Sequence, residues 1–326
     1  MKISVIIPIY NVSRFIERCA ESLMLQTLDG VEYIFVNDAT PDNSIELLHG
    51  VLERYDNKAS MVKIVEHEQN KGLPAARNSG LAIATGEYIF HCDSDDFVEP
   101  CMLELLYNTA KDCDADFVWC DWFLSYDHSE RYMKQPSYDT PLEALRAMLG
   151  GAMKYNVWNK LVKRSLYVDN NILFPAGHGM GEDMTMIRLA ACAGKVAYVG
   201  KALYHYVRSN SEAMTQTYSE RHLVDVSYNV DETMEFLATK GLDTEKEMAF
   251  FKLNVKLPFL VTDSWESYRR WNEWYPEANA YISVNNNMPW RTRFLQQMAA
   301  KRFYIGVWIY FHLVYNFLYS ILYKLC

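Results

Sequence analysis

The sequence predicts an α/β protein: a mostly parallel sheet with helices on both faces, followed by a helical C-terminal extension. Three observations carry this reading. Short apolar runs alternate with stretches of helical periodicity through the first 120 residues, the pattern of consecutive strand–helix–strand units. Alternation at this spacing implies parallel strands covered on both faces. From about residue 218 to 275 the pattern becomes helical, with apolar positions recurring at helical intervals.

Taken in order, residues 3–9 are a strand and 14–25 a helix, followed by a short strand at 33–36 and a helix at 44–55. Residues 61–65, 74–84, 88–92, 100–111 and 116–123 continue as strand, helix, strand, helix, strand. The stretch 125–211 is less regular and rich in Gly, Asn and Tyr, with one clear helix over 183–193 and a strand-like run at 202–207. Irregular segments beside a rigid sheet are where binding residues concentrate. Amphipathic runs at 223–237 and 245–265, the second interrupted by Pro258, form the extension. These boundaries divide the chain into 1–215, 216–290 and 291–326.

Composition narrows the class. Half of the 326 residues are apolar and 22% are charged, which excludes a disordered, collagen-like or disulfide-stapled chain. Seven scattered cysteines without a C-x-x-C pair read as free thiols in a reducing compartment. The opening run, broken by Pro8 and followed by Asn11 and Arg14, reads as a buried first strand and not as a signal peptide. With 41 acids against 32 bases the net charge is -9, which argues against a general nucleic-acid binder. The average hides an asymmetry: residues 288–326 carry five bases and no acid, leaving -14 on the rest.

The residues just past the strands carry the chemistry. Asp38 ends the second strand and Asp93-Ser94-Asp95-Asp96 the fourth, with Asn70-Lys71-Gly72 and Arg77 between them. Ligands of parallel sheets bind at the carboxyl ends of the strands, so Asp38, Arg77, Asp93 and Asp95 are expected to share one crevice. Asp-x-Asp alone is most often a solvated turn; directly after an apolar strand it is placed to hold a hard divalent cation. Mg or Mn takes one or two carboxylates and completes its shell with phosphate oxygens.

The ordered set Ser4-Val5-Ile6-Ile7-Pro8-Ile9-Tyr10-Asn11, Val36-Asn37-Asp38, Asn70-Lys71-Gly72, Ala76-Arg77-Asn78, Gly80, Thr85-Gly86-Glu87-Tyr88 and Asp93-Ser94-Asp95-Asp96 strongly resembles the family 2 glycosyltransferases of the GT-A fold. The match is close over residues 1–125, and Trp158-Asn159-Lys160 and Gly181-Glu182-Asp183 extend it to about 210. The resemblance implies a Rossmann-like GT-A sheet that binds a nucleotide diphosphate sugar, commonly a UDP-sugar. It implies that Pro8, Tyr10 and Asn11 border the base, that Asp38 accepts from the base N–H, and that Asn70 and Arg77 bond the nucleotide. Asp93 and Ser94 would face the ribose or metal, and Asp95 would ligate Mn or Mg. One departure stands in the second loop, where Ala39-Thr40-Pro41-Asp42 replaces the family's Gly-Ser-Thr-Asp and puts the loop's shape in question.

Glu182 and Asp183 follow a glycine-rich loop, residues 177–181, and open a helix. Acids there are ordinary N-terminal complements of a helix dipole. The resemblance assigns them more, with Asp183 as the general base for an acceptor hydroxyl and Glu182 as its helper. The glycines do not fit G-x-G-x-x-G after a strand and are expected to let the loop close over substrate. Arg208 and Ser211 are expected at the diphosphate, and His205 as an additional metal or phosphate ligand. Trp158 and Lys160 resemble an acceptor-side signature, although a core tryptophan reads the same way.

Residues 303–323 are uncharged and aromatic and follow the bases of 291–302. That combination favours a helix lying in the membrane interface over one that spans the bilayer or only packs on the globular part, with any membrane contact facing the anionic inner leaflet. The expected protein is an inverting, metal-dependent glycosyltransferase of surface polysaccharide synthesis, cytoplasmic and peripheral to the membrane, acting on a carbohydrate or lipid-linked acceptor. The competing readings are a sugar nucleotidyltransferase, which needs a glycine-rich basic loop where this chain has residues 8–14, and a non-catalytic sugar-binding protein of the same fold.

Overall fold

The computed structural model describes residues 1–179, 181–208 and 220–314, with backbone alone at 59, 182–183 and 220–222. These residues divide into two compact units, Met1–Leu145 with Tyr155–Lys240, and Arg146–Lys154 with the chain from Gly241 onward.

The first unit is built on one sheet. Strands β1 (Ile3–Ile9), β2 (Val31–Asn37), β3 (Val62–Glu66) and β4 (Tyr88–His91) pair in parallel in the order β3-β2-β1-β4. Helices α1 (Ile16–Met24), α2 (Ser44–Arg54) and α3 (Leu73–Ile83) connect them. Every residue of β1 is buried, as its unbroken apolar run requires of a central strand covered on both faces. Beyond β4 the sheet becomes mixed: β8 (Lys160–Lys163) enters antiparallel between β4 and β6 (Phe117–Ser125), and β9 (Val196–Val207) runs parallel to β6. The two-residue strand β5 (Phe97–Val98) pairs with β9, and β7 (Glu130–Met133) forms a hairpin with β6. The doubly wound parallel half was expected; β5, β7 and β8 are too short or too polar to register as strands by sequence.

Chain reversal between β2, on one side of β1, and β4, on the other, creates a crevice past their carboxyl ends. Gly80 lets α3 lie close over β1, since a Cβ there would sit 2.5 Å from Ile6 Cγ2. Helix α4 (Met102–Asp112) covers β6 and β9, α7 (Glu182–Ala190) opens after the glycine loop, and α8 (Glu220–Thr239) closes the unit. The first unit thus runs past residue 215 to include α8.

The second unit is helical. Helices α9 (Glu245–Val255), α10 (Trp265–Glu273), α11 (Trp290–Ala300) and α12 (Tyr304–Tyr310) share a core that includes Leu253, Leu260, Tyr268, Trp271, Ile282 and Leu295. Lys256 is buried there with its ammonium 4.1 Å from the Trp271 ring centre, donating to the carbonyls of Trp274 and Tyr275 and to Asn279 Oδ1. Burial lowers its pKa to about 7. Among the described residues no helix is long and apolar enough to cross a membrane; residues 315–326 of the predicted interfacial helix lie outside the described residues.

Candidate active site

A cleft of about 440 Å³ opens at the carboxyl ends of the parallel strands, lined by the end of β1 and the residues after it (Pro8 to Val12), Asp38, Asn70, Gly72, Asp93, Ser94, Asp95 and Tyr206, among others. Each arrives there because its strand ends there. The register Asn37↔Glu66 sets Asp38 beside His67, and the β1–β4 pairing brings Tyr10 and Asp93 to neighbouring strand ends.

Asp38 is the most heavily engaged of these side chains. Its side chain is only 4% exposed. It accepts from the Lys71 and Gly72 backbone N–H groups at 2.8 Å each, and His67 Nδ1 lies 2.7 Å from Oδ1. His67 Nε2 in turn meets Ser79 Oγ at 2.8 Å. Gly72, at φ +86°, turns the chain into α3 in a conformation that penalises a Cβ, and its N–H is also held by Asn70 Oδ1 at 2.9 Å. One carboxylate therefore fixes the whole Asn70–Gly72 turn.

The second-loop departure leaves a well-bonded turn. Thr40 Oγ accepts from the Asn11 N–H at 2.8 Å and donates to Asp42 Oδ1 at 2.7 Å; Ser44 Oγ and the Ser13 N–H also donate to Asp42. Burial alone would raise Asp42, but the bonds from Ser44, Thr40 and Ser13 outweigh it and bring its pKa to about 2. Ala39 and Asn11 both take positive φ, 54° each, so an alanine here holds a left-handed conformation that favours glycine.

The turn after β4 is organised from beneath. Arg77, 2% exposed, donates to Asp93 Oδ1 at 2.6 Å. Behind the turn, Tyr204 Oη–H donates to Asp96 Oδ2 and the Val207 N–H donates to Asp96 Oδ1, both at 2.7 Å. Burial, with Asp95 and Asp93 close by, pushes the Asp96 carboxyl well above the usual carboxylate range. Asp93 and Asp95 remain at the cleft as hard oxygen donors. Among the described residues no group of three or more His, Cys, Asp or Glu is arranged to hold a metal ion. A two-carboxylate donor set fits Mg or Mn whose shell is finished by phosphate oxygens.

The predicted site residues separate into two sets. Pro8, Tyr10, Asn11, Asp38, Asn70, Asp93, Ser94 and Asp95 line the cleft. Arg208, exposed at the end of β9, hydrogen-bonds the Tyr206 hydroxyl at the cleft wall. Arg77 lies behind Asp93 and acts as its anchor, not as a cleft-facing cation. His205 is not among the residues that line the cleft: Nδ1 lies 2.7 Å from Glu130 and Nε2 2.9 Å from Glu99, and the ring is stacked between Phe97 and Phe123. Both nitrogens are occupied, so it bridges β9 to its neighbours. Trp158 stacks on Tyr204 and Tyr206, and Lys160, 1% exposed, bonds Asn156 O and Asn159 Oδ1. Neither lines the cleft, and Trp158 stands behind its wall residue Tyr206. Glu182 and Asp183 open α7; their side chains, and Ser211, lie outside the described residues.

The described residues before α7 meet α8. His178 stacks on Tyr228 at 3.8 Å between ring centres, Asp225 accepts from the Gly179 N–H, and Asn229 Nδ2 donates to Gly179 O. Gly181 admits Asn229 so closely that a Cβ would stand 2.3 Å from its side chain. Sequence reasoning missed this clasp, because α8 follows some forty residues later and nothing local marks the partnership. It also missed His67, although counting one residue past paired strand ends places His67 beside Asp38.

Fold and crevice together define an α/β protein with its ligand site at a topological switch point. The sequence matches the description glycosyl transferase family 2 over residues 4–185, more than half of the chain, and the chain belongs to that family of enzymes. It is 29% identical to the putative glycosyltransferase EpsH of Bacillus subtilis over 94% of this chain and 82% of that protein. It is 31% identical to the glycosyltransferase GlyG of Streptococcus pneumoniae over 74% of this chain and 82% of that one. Among solved structures, S. aureus TarS 1-349 in complex with UDP-GlcNAc superposes with a TM-score of 0.71 at 22% identity, covering 96% of this chain and 92% of TarS. That likeness establishes the GT-A type of fold.

Proposed function

We propose that the protein is an inverting, metal-dependent glycosyltransferase that moves a hexosyl or N-acetylhexosaminyl group from a UDP-sugar to an acceptor hydroxyl during surface polysaccharide synthesis. The observation that carries this is the convergence of Asp38, Asn70, Asp93 and Asp95 on one strand-end cleft. Asp38, with the turn it fixes, receives the base; the Asp93–Asp95 turn receives the ribose and diphosphate. The complex of TarS with UDP-GlcNAc supports UDP as the nucleotide.

Asp183, at the start of α7, takes the acceptor proton as that oxygen attacks the anomeric carbon. The bond from that carbon to the β-phosphate oxygen breaks on the opposite face and UDP leaves with the electron pair, so configuration inverts. Asp95, with Asp93, would hold Mn or Mg, which when bound would supply charge stabilisation for the departing diphosphate. Glu182 assists at the acceptor, and Arg208 and Ser211 bring donors to the diphosphate. The acceptor is a carbohydrate or lipid-linked chain presented at the cytoplasmic membrane surface.

The test is a panel of UDP-sugars with Mn or Mg, scored for UDP binding by calorimetry and for UDP release. The reading predicts metal-dependent binding of UDP and release from one or a few members. No binding of UDP or of any UDP-sugar would overturn it.

A further inference from the structure

Charge divides along the structural units. The second unit carries twelve Lys and Arg against seven Asp and Glu, whereas the first carries 20 against 34. The basic unit also shows apolar side chains to solvent in a helical pattern. On α11, Trp290 and Phe294 are 67% and 49% exposed; with Lys301 they fall at i, i+4 and i+11, one face of a helix. The opposite face, Leu295 and Ala299, is buried in the unit's core. On α12 and the turn after it, Ile305, Ile309 and Leu313, at i, i+4 and i+8, are 57%, 44% and 59% exposed, while Gly306 and Val307 face inward.

Surface helices of globular proteins ordinarily turn charged residues outward. Here the α12 stripe is aliphatic and the α11 stripe opens with Trp290 and Phe294 before Gln297, and the charges beside them are Arg291, Lys301 and Arg302. Asp263, which touches α12, is engaged by Trp308 Nε1 at 2.7 Å and by His312 Nε2 at 3.2 Å. Aromatic and aliphatic side chains edged by arginine and lysine are the composition of a surface that enters the headgroup layer.

We propose that the exposed stripes of α11 and α12 are a docking surface for an anionic lipid bilayer, with the bases of residues 291–302 contacting the headgroups. The proposal rests on the reading of a membrane-presented acceptor, and it names the surface that brings the enzyme there. Its occupant is argued from charge: a second copy of this chain would bring the same positive surface face to face with itself.

The experiment is flotation of the full chain with vesicles of phosphatidylcholine alone or mixed with phosphatidylglycerol, at low and high salt, with no donor present. Binding is expected to the mixed vesicles, to weaken with salt, and to be nearly absent on phosphatidylcholine. Arg291→Gln with Lys301→Gln should weaken it roughly 25-fold, at about fivefold per base, and Trp290→Gln with Phe294→Gln by at least tenfold, with unchanged circular dichroism. The parent measurements need no variant to fold. Absence of flotation, equal flotation on neutral vesicles, or a dimer on light scattering that Trp290→Gln with Phe294→Gln dissociates while no vesicles bind would each overturn the proposal. UDP binding in the same preparation separates this outcome from failure of the enzymatic reading.

Discussion

Replacing Asp38 by asparagine tests whether one carboxylate organises the base-binding turn. Asp38 receives three donors: the Lys71 N–H, the Gly72 N–H and His67 Nδ1, at 2.7 to 2.8 Å. An amide has a single oxygen. With its NH₂ toward Gly72, the Gly72 N–H keeps Asn70 Oδ1 but faces an N–H; rotated toward Lys71 and His67, the amide takes the acceptor of the Lys71 N–H away in a partly buried turn. A buried donor left unsatisfied costs about 1–3 kcal/mol, equivalent to roughly 5- to 150-fold in an equilibrium constant. Because the turn is part of the cleft, this loss should fall on nucleotide affinity. UDP titration by calorimetry should show a dissociation constant raised about tenfold or more, and the melting temperature should drop by a few degrees. Affinity within twofold of the parent, with an unchanged melting temperature, would refute the idea that Asp38 preorganises the turn.

Three further outcomes follow from the same geometry. His67→Ala removes the link from Asp38 to Ser79 and should weaken UDP severalfold with little effect on fold, read by the same titration and by circular dichroism; unchanged affinity would leave His67 a packing residue. Gly80→Ala drives a Cβ to 2.5 Å from Ile6 Cγ2, an overpacking worth about 1–3 kcal/mol that urea unfolding should register. Acid should destabilise the sheet through Glu32: burial raises its carboxyl, but bonds from Lys63, Ser4 and Thr85 bring the pKa from the ordinary 4.5 down to about 2. A depressed carboxyl contributes stability above about pH 4.5 that is lost as pH falls toward 2, here about 3 kcal/mol. Urea midpoints that stay flat from pH 5 to 3 would contradict it.

Much of the first unit was legible because its strands are short apolar runs and its functional residues stand directly after them. The β1, β2 and β4 ends needed only chain position and the rule that parallel strand ends converge. What escaped was non-local. Lys160 and His205 are polar residues whose sequence neighbourhoods resemble a site, yet His205 meets Glu99 and Glu130 from distant parts of the chain, and Lys160 is buried on its near neighbours Asn156 and Asn159. Arg77 stands where a nucleotide cation was expected, but α3 carries it under Asp93. Ala39 at φ 54° kept a turn that the sequence put in question, because the Thr40, Asp42 and Ser44 hydroxyl and carboxylate bonds hold it. Strand β8 was hidden by its four-residue length, and it is inserted antiparallel between β4 and β6, which makes the sheet mixed.

The central claim is that sugar transfer depends on a metal-holding carboxylate at Asp95 and a base at Asp183. The most direct test compares the parent, Asp95→Asn and Asp183→Asn for turnover of the UDP-sugar the parent uses, with Mn or Mg and after EDTA, alongside UDP binding. EDTA and Asp95→Asn are each expected to abolish turnover and weaken metal-dependent UDP binding. Asp183→Asn is expected to bind UDP as the parent does but to lose transfer to the acceptor by at least about a hundredfold. Full transfer activity in Asp183→Asn, or turnover indifferent to EDTA, would contradict it.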